Sequence, residues 1–408
     1  MILVLISPRN AGLPFAQWLP ERSGRLVAVT EAGAAVGEGF AEVVTVSDYS
    51  DDDAVLDAAR AAARRQRPRA ILSLAEVDVE RAAQLRSEFN LPGLDTISAA
   101  AYRDKILMKK YAQAAGIRVP DFAPVTSAGE IAGFMACHSG RVVVKPRGGS
   151  GSTGVYVLET PEEAAHLDGV VSTEPYQVEE FVDGVLHHVD AFRVLGVPIA
   201  AIASHYTGQG CLEHWTDAPF GSRTLDPNDP VSERLVQETW RLVDALPSPC
   251  TVCVHAEFFV TSSGEIVLCE VAARIGGGPI PRMLREVLGI DPRELWARVE
   301  CGLPTDLDAV SARVRTAPLA AFYGIPPRQG RVLRLPEKPT GAVDFILNTH
   351  VGDEWDATRY TRRKSADFLA SWVITDTDGV SLSEKLNSTA AAVSAGFRWD
   401  DELSGGVR

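Results

Sequence analysis

A lysine stands at the mouth of a glycine-rich loop between two apolar runs. The order is Val142-Val143-Val144-Lys145-Pro146, then Arg147-Gly148-Gly149-Ser150-Gly151-Ser152-Thr153-Gly154, then Val155-Tyr156-Val157. Glycines allow positive φ and close backbone approach, so successive N–H groups can converge on one anion. With the Lys145 ammonium added, the pattern suits a polyphosphate, ATP before others. Three phosphate motifs compete for the stretch. Gly149-x-Gly151-x-x-Gly154 has the spacing of the dinucleotide fingerprint, but that motif opens a helix, and a strand pattern follows here. A Walker A loop ends in Gly-Lys-Ser/Thr, whereas Gly154 precedes Val155. A kinase flap carries its lysine after the loop, and no His-Arg-Asp or Asp-Phe-Gly follows downstream. What remains is a β-hairpin flap over phosphates, with its lysine ahead of it.

A hundred residues later two carboxylates are set to face each other. Residues 252–260 alternate, with Cys253, His255, Glu257 and Phe259 on one face. Thr261-Ser262-Ser263-Gly264-Glu265 reads as a turn and 266–271 as the return strand. If Thr261 pairs with Ile266, Glu257 falls opposite Glu270. Opposed carboxylates about 5 Å apart repel, and a divalent cation removes that cost. Hard oxygen ligands suit Mg²⁺ that also holds phosphate. Arg274 follows Glu270 by four residues, placed to meet a transferring phosphoryl group or a developing oxyanion. Gly276-Gly277-Gly278 then leads into a helical pattern whose start could receive a carboxylate. Arg282 has a surface ion pair as its plainer reading.

Strands and loops must hold these groups. Residues 1–95 alternate strand and helix: strands over 2–6, 26–29 and 70–74, helices near 14–19 and over 52–65. This is a Rossmann-like unit, but Ser7-Pro8-Arg9-Asn10-Ala11-Gly12 lacks the glycine fingerprint, so no dinucleotide is assigned to it. Residues 96–183 form a small flap-bearing lobe and 184–308 a larger lobe with the metal hairpin. Residues 309–408 form a C-terminal α+β subdomain, with strands over 320–323, 330–335 and 372–376, a helix near 381–393 and a polar tail from 400. The arginines at 60, 64, 65, 67 and 69 close a helical pattern and read as macrodipole compensation.

Taken together, the segments resemble the ATP-grasp superfamily, most strongly over residues 96–305. Residues 96–105 look like the entry to the family's first nucleotide lysine, Lys105. Gly116-Ile117-Arg118-Val119-Pro120 looks like the usual sequel. Lys145 matches the second nucleotide lysine and Gly148–Gly154 the phosphate flap. Val178-Glu179-Glu180-Phe181-Val182-Asp183-Gly184 resembles the hinge whose backbone meets the adenine edge, so Glu179, Glu180, Phe181 and Val182 become nucleotide contacts. Glu257, Glu270 and Arg274 match the Mg²⁺ carboxylates and the phosphate-side arginine. Two departures stand out. Where the family often has a ribose-binding acid, this chain has Val185-Leu186-His187-His188, so that either a histidine, with His188 the candidate, contacts the ribose or the contact is absent. Where many members carry a metal-binding asparagine two residues after the second carboxylate, this chain has Ala272. The Glu-x-Ala-x-Arg-x-Gly-Gly variant is most similar to carboxylate–amine ligases that include bacterial L-amino-acid ligases. The resemblance implies an α/β ATP-grasp fold with an N-terminal Rossmann-like domain. It further implies ATP and Mg²⁺ as cofactors, and an acyl phosphate formed on a carboxylate and captured by an amine. Lys145 and Arg274 would be the catalytic groups.

Composition fits that expectation. With 408 residues the chain exceeds one core, and 46% hydrophobic with 23% charged residues is ordinary for a globular protein. A net charge of −14 argues against nucleic acid as a partner. No apolar run reaches membrane-spanning length, and six cysteines do not make a disulfide scaffold. Cys250-x-x-Cys253 lacks a second pair to complete a zinc set. A reduced, cytoplasmic setting and small-molecule partners, with a homodimer as a compatible assembly, are the expectations. The polar and aromatic stretch 204–215 is a candidate specificity loop. A bicarbonate- or formate-activating enzyme is the alternative, and a nucleotide-binding protein without ligase chemistry a further one.

Overall fold

The computed structural model of the chain describes residues 1–138, 140–207, 220–355 and 367–400. The first unit is a parallel sheet in the order Glu42–Val46, Leu26–Glu31, Ile2–Leu5, Ala70–Ser73. Its central strand, Ile-Leu-Val-Leu, is buried throughout, as a parallel strand covered on both faces must be. The helix Asp52–Arg65 begins where Asp51 accepts a hydrogen bond from the Ala54 N–H, and it ends in Arg64 and Arg65. Those arginines also have partners: Arg60 and Arg64 reach Glu88, and Arg65 reaches Glu42. The strand Glu42–Val46 is not among the expected ones. It lies at the sheet edge with alternating exposure, so it lacks the apolar run that marks the other three.

The main sheet has eight strands among the described residues. Its order is Ile266–Ala272, Val252–Thr261, Gly184–Val194, Val197–Tyr206, Phe220–Thr224, Leu319–Ile325, Ala370–Asp376, Ala342–Leu347. The expected boundary between 308 and 309 therefore falls inside one sheet. Leu319–Ile325 pairs antiparallel with Phe220–Thr224 on one side and Ala370–Asp376 on the other. Its sequence, Leu-Ala-Ala-Phe-Tyr-Gly-Ile, is apolar on both faces and belongs in a sheet interior. The helices Thr96–Arg103 and Lys105–Ala114, expected with the small lobe, instead pack on this sheet. Tyr102, Met108 and Ala112 share a core with Val254 and Leu268.

The small lobe is a separate sheet ordered Phe122–Val125, Tyr176–Glu180, Val142–Pro146, Tyr156–Leu158. Val142, Val144 and Val178 bury themselves against Ile131 and Met135 of the helix Ala128–Cys137. The flap joins Val142–Pro146 to Tyr156–Leu158 as the hairpin the sequence predicts. A three-stranded sheet of Glu354–Trp355, Gly330–Arg334 and Arg398–Asp400 and the helix Gly379–Gly396 complete the described chain. No described helix is long and apolar enough to cross a membrane. Most of the candidate specificity loop, 208–215, and the tail 401–408 lie outside the described residues.

Candidate active site

The flap lysine is held by a carboxylate the sequence had marked only for its backbone. Lys145 Nζ lies 2.6 Å from Glu179 Oε1, and Lys109 Nζ lies 2.7 Å from Glu179 Oε2. The register explains this. Lys145 pairs with Gln177 and Val143 with Glu179, so Glu179 is the diagonal neighbour of Lys145 on the same face. All three are buried. Burial works against the Lys145 ammonium, but the Glu179 carboxylate outweighs it and holds the pKa above the ordinary lysine value. At Lys109 burial wins, and its pKa falls.

Lys105 comes from the helix that Asp104 caps by accepting from the Ile106 N–H. Its Nζ donates to the Gly149 carbonyl at 2.7 Å and lies 3.3 Å from Glu270 Oε2. Thus Lys105, Lys145, the flap and Glu270 come together as expected. They line a cavity of about 700 Å³ with Glu180, Phe181, Val182 and Leu186. Gly149, Ser150, Gly151, Ser152 and Thr153 also face it. Gly148 instead offers its carbonyl to Arg103. At Gly154, φ is +71° and a Cβ would stand 2.9 Å from Tyr176 Oη, so no other residue fits that turn. Glu180 pairs with Arg118 at its side chain.

Glu257 does lie opposite Glu270, though by a different route from the one expected. The turn closes one residue earlier, with Val260 opposite Ile266 and the Thr261 N–H donating to the Glu265 carbonyl. A bulge at Cys269 then restores the pairing of the carboxylates. Burial alone would raise the Glu270 pKa, but Lys105 and Lys145 bring it down to about 2, so the group is ionised. Glu257 Oε1 accepts from Tyr206 Oη at 2.7 Å and lies 3.4 Å from His255 Nε2. Two carboxylates across one ladder, with Lys105 and Lys145 alongside, form a donor set that fits a hard divalent cation beside phosphate.

His188 does not line the 700 Å³ cavity. It is fully buried, with Nδ1 2.9 Å from Asp190 Oδ2 and Nε2 2.8 Å from Ser222 Oγ. Cross-strand pairing places it beside Glu257 and places Asp190 beside His255. A ribose contact from His188 is therefore corrected: both ring nitrogens are engaged inside the sheet. His187 turns its Nδ1 to the Val185 carbonyl and does not line the cavity either. The Asp190–His255 pair is one the sequence reading missed. His255 Nδ1 is 3.0 Å from Asp190 Oδ1. Burial opposes the imidazolium, but Asp190 outweighs it and the His255 pKa rises to about 9. Asp190 Oδ1 also accepts from the Gly276 N–H at 3.0 Å. The alternation of Cys253, His255 and Glu257 was visible. The partner strand 184–194 was not, and only pairing reveals the cluster.

Arg274 lies on a second cavity of about 870 Å³, with Glu76, Arg103 and Gly276–Gly278. Its Nε is 2.5 Å from Glu76 Oε2, and Arg103 Nη1 is 2.5 Å from Glu76 Oε1. Glu76 follows the last strand of the parallel sheet, at the carboxyl end where such sheets place ligands. That position is a signal the sequence reading could have used. The N–H groups of Gly277 and Gly278 make no hydrogen bond among the described residues. The helix Ile280–Leu288 then starts without a side-chain cap, an arrangement that favours an anion. Arg282 lies 3.0 Å from Asp344 and donates to Ser371 Oγ at 3.1 Å, contacts to the strands Ala342–Leu347 and Ala370–Asp376. The two cavities share Ser150, Gly151, Ser152, Glu257 and Glu270.

No family model matches the sequence. Over 251 residues the chain is 26% identical to an L-arginine-specific L-amino acid ligase of Bacillus subtilis, covering 55% of each chain. It spans about half the length of the curated relatives it matches. Among solved structures it is similar to an L-amino acid ligase from Bacillus licheniformis, at TM-score 0.75 and 17% identity, covering 98% of both chains. It is also similar to the biotin carboxylase domain of Hydrogenobacter thermophilus 2-oxoglutarate carboxylase in complex with MgADP, ADP and bicarbonate. That match has TM-score 0.70 and 12% identity, over 98% of this chain and 90% of the other. The chain has the ATP-grasp fold. The small sheet and its flap border one side of the 700 Å³ cavity, and the hairpin that carries Glu257 and Glu270 borders the other.

Proposed function

We propose that this protein is an ATP-dependent carboxylate–amine ligase. The observation that carries the reading is the junction. Glu257 and Glu270 border both the cavity with the lysines and flap and the cavity with Arg274 and the free glycine amides. A γ-phosphate held on one side thus stands next to a carboxylate held on the other. Lys105, Lys145 and the flap N–H groups bind the phosphates; the backbone at 180–182 borders the adenine end. Glu257 and Glu270 would hold Mg²⁺, which when bound screens the charge between phosphate oxygens. The substrate carboxylate oxygen attacks the γ-phosphorus and ADP leaves, giving an acyl phosphate. The amine nitrogen then attacks the acyl carbon, loses a proton, and phosphate departs. Arg274 and the Gly277 and Gly278 amides face the oxygen on which negative charge develops. The similarity to an L-amino acid ligase at 26% identity supports an amino acid as the acid and an amide, in the simplest case a peptide, as product.

The test is ADP release from MgATP with amino acids supplied singly and in pairs, with product mass read in parallel. Release that needs both an acid and an amine and yields a mass lower by one water than their sum is the expected result. Release with bicarbonate or formate alone would replace this reading with the carboxylate-activating alternative. ATP binding without any release would leave a nucleotide-binding protein.

A further inference from the structure

An aspartate sits in the middle of a central strand. Asp190 belongs to Gly184–Val194, third from the edge of the eight-stranded sheet, and it is 1% exposed. An ionised carboxylate is costly to bury, and an apolar residue of similar size often serves a sheet interior better. The contacts of Asp190 show what its oxygens are used for. Oδ1 accepts from the Gly276 N–H at 3.0 Å and lies 3.0 Å from His255 Nδ1, and Oδ2 lies 2.9 Å from His188 Nδ1. One oxygen atom therefore meets both the glycine loop and the strand that carries Glu257.

The loop rests on that atom. A Cβ on Gly276 would stand 3.0 Å from Asp190 Oδ1 and 2.9 Å from His255 Nδ1, so only glycine lets the backbone come so close. Among the described residues no other hydrogen bond joins residues 275–279 to the sheet. Gly277 and Gly278 follow directly and line the second cavity with Arg274. Glycines hold no conformation of their own, so the place of these two amides depends on the anchor at Gly276. On the other side, His255 Nε2 lies 3.4 Å from Glu257 Oε1. Behind the anchor, His188 Nε2 is 2.8 Å from Ser222 Oγ, which donates to the His205 carbonyl at 3.0 Å. Four neighbouring strands thus brace one contact. Asp190 itself lines neither cavity.

Resting on the ligase reading, we propose that Asp190 is a positioning residue for the acid substrate. It fixes the Gly276–Gly278 loop over the sheet, and so the distance from the acid's carboxylate to the γ-phosphate beside Glu257 and Glu270. A misplacement of about 1 Å between reacting groups can cost on the order of a hundredfold in rate.

The experiment replaces the unknown amine with hydroxylamine. Each of the twenty L-amino acids is offered singly with purified protein and MgATP, and the one giving most hydroxamate becomes the probe acid. The hydroxylamine nitrogen attacks the acyl carbon of R–CO–OPO₃²⁻, the C–O bond to phosphate breaks, and the nitrogen's proton leaves with phosphate. The product, R–CO–NHOH, is read as its ferric complex.

Asp190→Ala should raise KM for the probe acid roughly tenfold or more while KM for ATP stays within about twofold. Asp190→Asn keeps an oxygen for the Gly276 N–H and turns its NH₂ to His188, so its acid KM should stay within about threefold of wild type. Ser222→Ala disturbs the far end of the same buried run. It should lower the urea midpoint and leave both KM values within about twofold. If Asp190→Ala does not fold, Gly276→Ala reads the same contact from the loop side and should give the same split between acid and ATP. Wild-type protein that makes no hydroxamate with any acid overturns the ligase reading and the proposal together. With wild type active, an equal rise in both KM values or none overturns the proposal alone. So does an Asp190→Asn variant as impaired as Asp190→Ala, or an acid KM that rises in Ser222→Ala along with its loss of stability.

Discussion

Replacing Arg274 with alanine separates two jobs that the structure gives one side chain. It lines the cavity proposed for the acid, and its Nε is 2.5 Å from Glu76 Oε2. Glu76 is largely buried, with a side chain 10% exposed, and also binds Arg103. Breaking a buried pair typically costs about 3–5 kcal/mol. Because Arg103 stays 2.5 Å from the other carboxylate oxygen, the expected loss is smaller, about 1–3 kcal/mol. The functional loss should be larger. Arg274 does not line the nucleotide cavity, so ADP affinity should stay within a few-fold. Charge develops near it only as bonds form, and removing one such donor costs on the order of a hundredfold or more in turnover. Urea unfolding reads the first effect, ADP calorimetry the second, and ADP release at saturating acid and amine the third. Arg274→Lys should recover little, since a point charge does not reproduce a planar fork. Glu76→Gln keeps the guanidinium but loosens its aim, so its turnover should fall between wild type and Arg274→Ala. If the alanine variant lost ADP affinity and kept turnover, Arg274 would be a ground-state nucleotide ligand and the reasoning would fail.

Gly276→Ala puts a Cβ 2.7 Å from Ile280 Cγ2, 2.9 Å from His255 Nδ1 and 3.0 Å from Asp190 Oδ1. It should cost about 1–3 kcal/mol and most of the turnover while ADP binding survives; calorimetry and ADP release check both halves. Glu270→Gln should fold and lose ATP turnover, because half the anionic charge for the cation is gone; near-normal turnover would remove Glu270 from the metal site. Lys145→Ala should weaken ADP binding and, since it takes from buried Glu179 one of its two ammonium partners and leaves Lys109 and the Gln177 amide, also lower stability by about 1–3 kcal/mol. For His255 the sign follows from a folded pKa of about 9 against an ordinary value of 6.5. Its charge contributes stability in full below pH 6.5, and that contribution fades as pH rises through about 9. In magnesium-free buffer, unfolding free energy should fall over that window and the slope should flatten in Asp190→Asn; parallel profiles would refute the pairing.

The legible part of the fold was whatever a local pattern determines. Apolar runs marked three of the four parallel strands, and a helical pattern closed by arginines marked the helix Asp52–Arg65. Strand–loop–strand around Lys145 fixed the flap, and a turn between alternating runs brought Glu257 to Glu270 despite a bulge no periodicity reveals. The rest needed pairings between distant segments. Which sheet Leu319–Ile325 would join, and so where the C-terminal unit divides, depends on Phe220–Thr224 a hundred residues earlier. His188 was misread for the same reason. Counted from the hinge it sits where a ribose ligand could stand, but its ring is fixed by Ser222 and Asp190 once the strands align. Glu179 was read as backbone because its side-chain partners, Lys109 and Lys145, meet only across helix and sheet.

The N-terminal unit shows why such long-range contacts decide function. Its sheet carries no dinucleotide fingerprint, yet the loop after its last strand supplies Glu76. Glu76 joins Arg274, on the second cavity, to Arg103, whose other nitrogen donates to the Gly148 carbonyl at the base of the flap. A continuous run of charge-assisted contacts therefore links the flap to Arg274 on the second cavity. Arginine suits both positions because its fork can bind a carboxylate and a carbonyl at once. The parallel sheet then acts as the anchor that fixes the distance between the two halves. A shift of about 1 Å at Glu76 would be felt at Arg274, where misplacement on that scale can cost on the order of a hundredfold in rate. This makes Glu76→Gln, a change at a residue that lines only the second of the two cavities, a discriminating substitution. A turnover loss with intact ADP binding would place the parallel sheet within the working site, whereas wild-type turnover would reduce it to a scaffold.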